Sequence, residues 1–521
     1  MKRRNFIKTA GTAVSLPVML GGIPLSAMPK SSIFNFIEEE TDRVLVLIQM
    51  NGGNDGLNMI IPRDRYDGLA AVRSNIMIAE ANVIPVTDNT GFHPSMKDIH
   101  LLYEEGKISV VQSVGYPNQN RSHFRSIDIW TSGSPAEEFW YTGWMGRYFD
   151  TQYPGYPDDY PNETHPHPFA ITMGSIVSET CQGRIANYSM TLDDPFNIFP
   201  LFEGEGDEIP DTPYGDELAF LRTSIVQTNE YSELIVEAAN RGRNLKTYKE
   251  SNRLARQLKN VALLVSGGLQ TKIYIVSIGG FDTHANQVVE GNTAVGMHAD
   301  LLEMLSDAIG TFQEDLRLQG LEHRVVGMTF SEFGRKVRSN ESFGTDHGTA
   351  APLILFGACV HANILGESPE ISPDIDSSEG LPMQYDFRDV YGSLLMDWFG
   401  VEESQVRALL HPAFQYLKLI QPCSPVTATD DAPLTEPIQT YNYPNPFKAE
   451  TVIAFQMPTS AKVRLSIFDA LGAELRVLIN KRLEAGDHQV TFQAQNLPAG
   501  TYFYRLQIGQ WHKTKRMVKI L

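Results

Sequence analysis

Cysteine is scarce, with three residues (Cys181, Cys359, Cys423) in a chain of 521. Three thiols cannot form a disulfide framework; they allow one bridge at most, and their dispersal excludes a zinc-knuckle spacing. Basic charge is also in deficit, with 43 Lys and Arg against 62 Asp and Glu and a net charge of −19. That balance excludes a general nucleic-acid binder, which needs a basic footprint. It is compatible with a secreted setting rich in divalent cations. Long apolar runs are missing too: no stretch of the mature chain approaches the ~20 residues that a membrane-spanning helix needs. What remains is the composition of a folded, water-exposed protein, 42% hydrophobic and 10% aromatic. Its length suggests two or three folding units.

Four apolar strands stand out, and each ends in residues capable of chemistry. Arg43–Met50 runs into Asn51-Gly52-Gly53-Asn54-Asp55. Ile108–Val114 leads to Ser122, at the start of a helical stretch that continues through Trp130. Lys272–Ile278 precedes Asp282 and His284. Val325–Phe330 precedes Glu332, Arg335, Asp346 and His347, all four of which fall within sixteen residues. Helical patterns separate the strands over 94–105, 215–240 and 248–265, and over Leu301, Leu305, Ile309, Phe312 and Leu316, spaced by three and four. A further strand is expected at Leu353–Phe356 and a closing helix at Tyr391–Phe399. Tyr148–Pro168, with His165 and His167, is expected as a solvated inserted loop, and Leu192–Pro213 as an irregular acidic stretch. Alternating strands and helices predict an α/β fold, a mostly parallel sheet covered on both faces.

In such a sheet, ligands bind at the C-terminal ends of the strands. Each group has a bland account: Asp55 and Asp346 as turn residues, Glu332 with Arg335 as a surface ion pair, Ser122 as a helix N-cap. Their concentration past four strands points instead to a site. Asp55, Asp282, His284, Glu332, Asp346 and His347 form a candidate shell for a divalent metal, Zn, Mn, Mg or Ca, because carboxylate and imidazole mixtures suit such ions. Ser122 at a helix N-terminus is the candidate nucleophile, since free N–H groups there stabilise an anion. Arg335 is the candidate group for holding an anionic substrate.

The two ends of the chain differ from its body. Residues 1–27 begin Lys2-Arg3-Arg4-Asn5-Phe6-Ile7-Lys8 and continue as a short apolar run broken by Pro17. This resembles a twin-arginine signal, which implies the Tat translocase as a partner and passage through the periplasm, with cleavage near Ala27. Residues 421–440 are rich in Ser, Thr, Pro and Asp and are expected as a linker. Residues 441–521 switch to short alternating strands (451–457, 462–468, 488–493, 501–508), the pattern of a small all-β sandwich. Tyr443-Pro444-Asn445-Pro446-Phe447, Leu497-Pro498-Ala499-Gly500-Thr501-Tyr502 and the basic end Lys513–Lys519 resemble a type A sorting domain. That resemblance implies the type IX secretion machinery as a partner and a secreted or surface-attached protein of a two-membrane bacterium.

The body itself, about Arg43 to Phe414 within an expected domain of 43–420, resembles the family known as domain of unknown function 1501. The motifs are GGNDGL at Gly52–Leu57, RSHF at Arg121–Phe124, FDTH at Phe281–His284, SEFGR at Ser331–Arg335, GTDHG at Gly344–Gly348 and DFR at Asp386–Arg388. This family looks like a branch of the alkaline phosphatase and sulfatase superfamily, which implies hydrolysis of phosphate or sulfate esters at a metal site. By that likeness Asp55 is a metal aspartate, Ser122 the metal-bound nucleophile, Asp282 the start of an Asp-x-x-x-His element, and His347 the last ligand histidine. Position 286 is Asn and position 333 is Phe where the superfamily has ligand histidines. Two functions are therefore expected: an exported metal-dependent ester hydrolase, or a non-catalytic surface protein that keeps the fold.

Overall fold

The computed structural model describes residues 19–20, 23–24, 42–198, 212–423, 440–457, 461–469, 474–484, 486–495, 497–508 and 511–520. Apart from 19–20 and 23–24 the twin-arginine segment lies outside them, as does most of the expected linker. The chain forms two compact units, Met1–Cys423 and Ser424–Leu521.

The first unit is built on a nine-stranded sheet. Its strands are β1 (Val44–Asn51), β2 (Ile108–Gly115), β3 (Ala170–Met173), β4 (Ser189–Leu192), β5 (Ile273–Gly279), β6 (Val325–Phe330), β7 (Ala351–Phe356), β8 (Ile364–Leu365) and β9 (Tyr385–Asp386). They lie in the order β8-β2-β7-β6-β1-β5-β3-β4, with β9 also on β2. β6, β1, β5, β3 and β4 run parallel, as do β2, β8 and β9. β7 alone is reversed, antiparallel to both β6 and β2. The C-terminal ends of β1, β2, β5 and β6 therefore share one edge, and the segment between β6 and β7 leaves and re-enters at that edge.

Alternation along β1 divides its side chains between two cores. Val44, Val46, Ile48 and Met50 pack with α2 (Lys97–Glu104), α6 (Arg253–Ser266) and α7 (Met297–Leu318). Leu45 and Leu47 pack on the other face with α3 (His123–Ser132), α4 (Trp144–Gln152), α8 (Phe387–Phe399) and α9 (Glu403–Leu409). Further helices include α1 (Tyr66–Arg73) and the long α5 (Pro213–Arg241). The mostly parallel sheet with helices on both faces is the fold class expected. Strands β3 and β4 and helix α4 were not anticipated. They occupy or adjoin the stretch expected as a loop, which is instead tied down by aromatic packing: Tyr153 stacks on Phe169 at 4.0 Å and Tyr156 on Tyr188 at 4.1 Å. A disulfide joins Cys359 to Cys423, the one bridge that three cysteines permit, and Cys181 is free and buried.

The second unit is all antiparallel. β10 (Thr440–Tyr443), β11 (Glu450–Met457) and β14 (Gly486–Gln493) form one sheet. β12 (Ala461–Phe468), β13 (Glu474–Leu483), β15 (Gly500–Ile508) and β16 (Trp511–Lys519) form another, in the order β13-β12-β15-β16. Its own core includes Phe447, Ile453, Leu465, Tyr504 and Met517. β10, β13 and β16 were not anticipated, because their apolar positions are interrupted by Lys, Arg and Asn.

Candidate metal centre

The segment after β6 carries the centre. Glu332 stands two residues past the strand, is buried, and accepts the Gly52 N–H at 2.8 Å through Oε1. The same oxygen lies 2.7 Å from His123 Nδ1. A carboxylate only accepts, so His123 carries its proton on Nδ1 and leaves Nε2 as a lone pair. His347, on the return to β7, places Nδ1 2.9 Å from the Arg121 carbonyl, and His284 places Nδ1 3.0 Å from Asp346 Oδ1. Both of those partners are acceptors as well. Three imidazoles thus direct their Nε2 atoms away from their supports.

Those nitrogens converge on Asp282. His347 Nε2 is 3.2 Å and His284 Nε2 3.1 Å from Asp282 Oδ1, and His123 Nε2 is 3.5 Å from Oδ2. His284 Nε2 and His347 Nε2 are 2.9 Å apart. Donor atoms of His123, Asp282 and His347 all lie within 4.8 Å of one another. Arg335 reaches Asp282 Oδ1 from one side, and the imidazole nitrogens gathered on the other side, in their neutral form, make a donor set that fits a metal cation. Support of each ligand imidazole by an outer acceptor is the usual construction of metal-binding histidines. Burial would raise the Asp282 carboxyl, but the Arg335 guanidinium outweighs it and holds it below its ordinary value. Burial is the largest influence on His347, whose imidazole is pushed below its ordinary value and so stays neutral, the form that binds metals.

Glu332 and Asp346, expected as metal ligands, each hydrogen-bond a histidine of the cluster, Glu332 to His123 and Asp346 to His284. Ser122 is the N-cap of α3 and is exposed; its hydroxyl makes no capping hydrogen bond. Arg335, expected to hold an anionic substrate, is buried and turned inward. It donates to the carbonyls of Gly53 (2.7 Å), Thr345 (2.8 Å), Phe281 (2.9 Å) and Gly52, and to Asp282 Oδ1 at 2.6 Å. Its guanidinium braces the loops that carry the centre.

Asp55 stands at the same sheet edge in a different setting. It is 1% exposed, and Arg73 of α1 donates to both its oxygens at 2.9 Å. Gln287 adds a third bond at 2.6 Å. Burial would raise this carboxyl, but Arg73, His298 and Gln287 outweigh it and hold it below its ordinary value. Gln287 in turn accepts from Thr283 and Thr345, which links the buried network to both loops of the centre. His298 and His93 lie beside it, and burial lowers their pKa values to about 4 and about 3.

His123 went unrecognised from sequence, although it follows Ser122 directly in the RSHF motif. Phe333, at the position where the resemblance expected a histidine, forms the apolar wall of the centre, with its ring centroid 4.9 Å from that of His123 and 4.7 Å from that of His347. Only glycine fits opposite it: a Cβ on Gly53 would come within 2.2 Å of the Phe333 ring, and Gly53 has φ +79°.

The loops that carry Asp282, His284, Glu332, Asp346 and His347 lie in one recognised stretch. Residues 232–409 match the family described as Protein of unknown function (DUF1501). The match includes FDTH, SEFGR, GTDHG and DFR but not GGNDGL or RSHF, so it is narrower than the 43–414 expected from motifs. Residues 442–520 match the secretion system C-terminal sorting domain. That tail points to secretion by the type IX system and to a secreted or cell-surface location. No curated protein matches the chain.

Among solved structures, the chain is similar to a surface component of the type IX secretion system of Porphyromonas gingivalis, at 20% identity over 16% of this chain and TM-score 0.13. It spans only 11% of that protein. It is also similar to a protein in the alkaline phosphatase superfamily from Vibrio parahaemolyticus, at 10% identity over 87% of this chain and 79% of that one, TM-score 0.30. A putative sulfatase from Bacteroides fragilis shares 10% identity over 91% and 92% of the two chains, TM-score 0.31. Among the described residues no helix is long and apolar enough to cross a membrane.

Proposed function

We propose that the first unit binds one divalent transition metal through His123, His284, His347 and Asp282, and hydrolyses phosphate or sulfate esters there. One observation carries the reading: three imidazoles whose Nδ1 atoms are each held by an acceptor aim their Nε2 atoms at one carboxylate. An imidazole-rich set suits Zn or Mn better than Mg or Ca, which prefer all-oxygen shells. The bound ion supplies Lewis acidity and a lowered pKa for a bound water.

The chain's own residues do the rest. Glu332, Asp346 and the Arg121 carbonyl fix the tautomers of the three histidines. Arg335 holds Asp282 in place and neutralises part of its charge. Ser122, exposed one residue before His123, offers its uncommitted hydroxyl as the nucleophile, and Phe333 excludes water from behind the ligands. The sorting tail, after Tat export, delivers the protein through the type IX machinery to the cell surface or medium.

A second reading has a specific observation in its favour. Arg73 neutralises Asp55 and Arg335 is consumed by internal carbonyls, so neither is available to an anionic ester. In that reading the metal is a structural clamp on a non-catalytic surface protein. Metal analysis of the purified chain, with assays on phosphate monoesters, diesters and sulfate esters, separates the two. One Zn or Mn per chain, with hydrolysis abolished by Ser122→Ala, supports the hydrolase. A bound metal without hydrolysis of any of these esters leaves the clamp, and no bound metal sinks both.

A further inference from the structure

Helix α3 presents three faces. His123, Ser126, Ile129 and Trp130 turn inward, the first to the metal centre and the others to the core. Phe124, Ile127 and Thr131 line a cleft of about 1320 Å³. Arg125, Asp128 and Ser132 line a second cleft of about 400 Å³, and Thr131 and Glu179 border both. The two clefts therefore adjoin near the C-terminal end of the helix, at Thr131 and Glu179.

The smaller cleft is walled by the consecutive aromatics Phe139, Trp140 and Tyr141. Phe139 is 67% and Tyr141 92% exposed, as is Phe124, at 86%, in the larger cleft. Exposed rings grouped in a concavity, unlike scattered ones, mark a binding surface. Guanidinium groups pack on two of these rings. The Arg125 guanidinium lies 3.8 Å from the Phe139 centroid and is bonded to the carbonyls of Pro135 and Ala136. The Arg147 guanidinium lies 4.6 Å from the Trp140 centroid and is bonded to the carbonyls of Thr142 and Leu409. Trp140 Nε1–H donates to Glu138 at 2.8 Å, which fixes the ring plane. Beside the rings stand the carboxylates of Asp128 and Glu179 and the amide of Gln182.

Rigid aromatic planes bordered by carboxylates and an amide match a ligand with apolar C–H faces and hydroxyl edges. We propose that these adjoining clefts bind a carbohydrate chain, laid along α3 with Phe139, Trp140 and Tyr141 as its stacking platform. A protein partner would also favour aromatics and Arg, but it docks on a broad surface rather than in narrow clefts walled by rings, carboxylates and an amide. The binding itself does not rest on the hydrolase reading.

The test is affinity gel electrophoresis of the full chain through three soluble polysaccharides: a neutral glucan, a polyuronate and a sulfated galactan. Running it with EDTA keeps the metal centre out of the measurement. At least one polysaccharide retards the wild-type chain, and Phe139→Ala and Tyr141→Ala each weaken that retardation about tenfold with the melting temperature unchanged. Should Phe139→Ala lower the melting temperature, Tyr141→Ala, at an almost fully exposed position, keeps the test intact. No retardation by any of the three, or retardation unchanged in Tyr141→Ala, overturns the proposal. Ester hydrolysis without retardation sinks the carbohydrate trough alone; retardation without hydrolysis supports the trough and sinks the hydrolase alone.

Discussion

Asp55 and Asp282 stand past neighbouring strands of one sheet, and their surroundings differ in kind. Asp55 is buried against Arg73, a permanent cation that donates to both carboxylate oxygens. Asp282 is 47% exposed at its side chain and faces three imidazole nitrogens. The first is a closed ion pair in which the protein supplies the positive charge. The second shares its Oδ1 with the Arg335 guanidinium at 2.6 Å and stays open on the side where three imidazoles gather. A carboxylate at a strand end is therefore a metal ligand or a structural anchor according to what the tertiary fold sets beside it.

The largest effect that tests this contrast is on stability. Arg73→Met leaves Asp55 buried without a partner and is expected to cost about 3–5 kcal/mol in urea unfolding. Adding Asp55→Leu to that variant should recover most of the loss, since two apolar groups can replace a buried pair. Asp282→Asn, measured without metal, is expected to cost less than Arg73→Met, because the group is half exposed and the Asn Oδ1 can still accept from Arg335. Equal costs for Arg73→Met and Asp282→Asn would erase the distinction.

The buried half should also be the one that senses acid. In the unfolded chain His93 and His298 take up protons near pH 6.5, whereas in the fold they do so only near about 3 and about 4. Between those values the unfolded state binds more protons, so stability is full above pH 6.5 and falls as the pH drops. The slope is at most about 1.4 kcal/mol per pH unit for each histidine. Urea titrations of the EDTA-treated chain from pH 7 to 4.5 measure it, and His93→Gln should flatten it by one histidine's share. A flat profile in the wild type would show that these imidazoles are already charged in the fold.

The open half should respond in metal affinity. Glu332→Gln keeps the size but weakens the acceptor that orients His123, and zinc titration should show affinity lowered about 10–100-fold. An unchanged affinity would remove His123 from the ligand set. The smallest effect expected is Ser122→Ala on stability. Its hydroxyl caps nothing, so the loss should stay under about 0.5 kcal/mol, below the cost of a lost N-cap. A melting-temperature loss of cap size would contradict the geometry.

Much of this molecule was legible in its sequence. Strands β1, β2, β5, β6 and β7 are continuous apolar runs, and buried parallel strands read that way because both faces are covered. Asp282, His284, Asp346 and His347 fall just past such runs, so their meeting at one edge follows from parallel topology. The hydrogen bond between Glu332 and His123 was not legible, because a carboxylate two residues beyond a strand has the same sequence signature as ligand or as support. His123 was hidden by its neighbour: Ser122 has a recognised role at a helix start, and a single histidine in a helix's first turn has none.

The sequence alone determined where the strands lie, that their chemistry-bearing ends share an edge, and that the tail is a separate sorting module. Those properties follow from local periodicity and short motifs, which depend on residues within about ten positions of each other. Only the tertiary structure decided which charge each group meets. Arg73 reaches Asp55 across 18 positions, Gln287 across 232, and Glu332 reaches His123 across 209. Electrostatic partnership is set by distance in space and by exclusion of water, and neither is written in any local stretch of the chain.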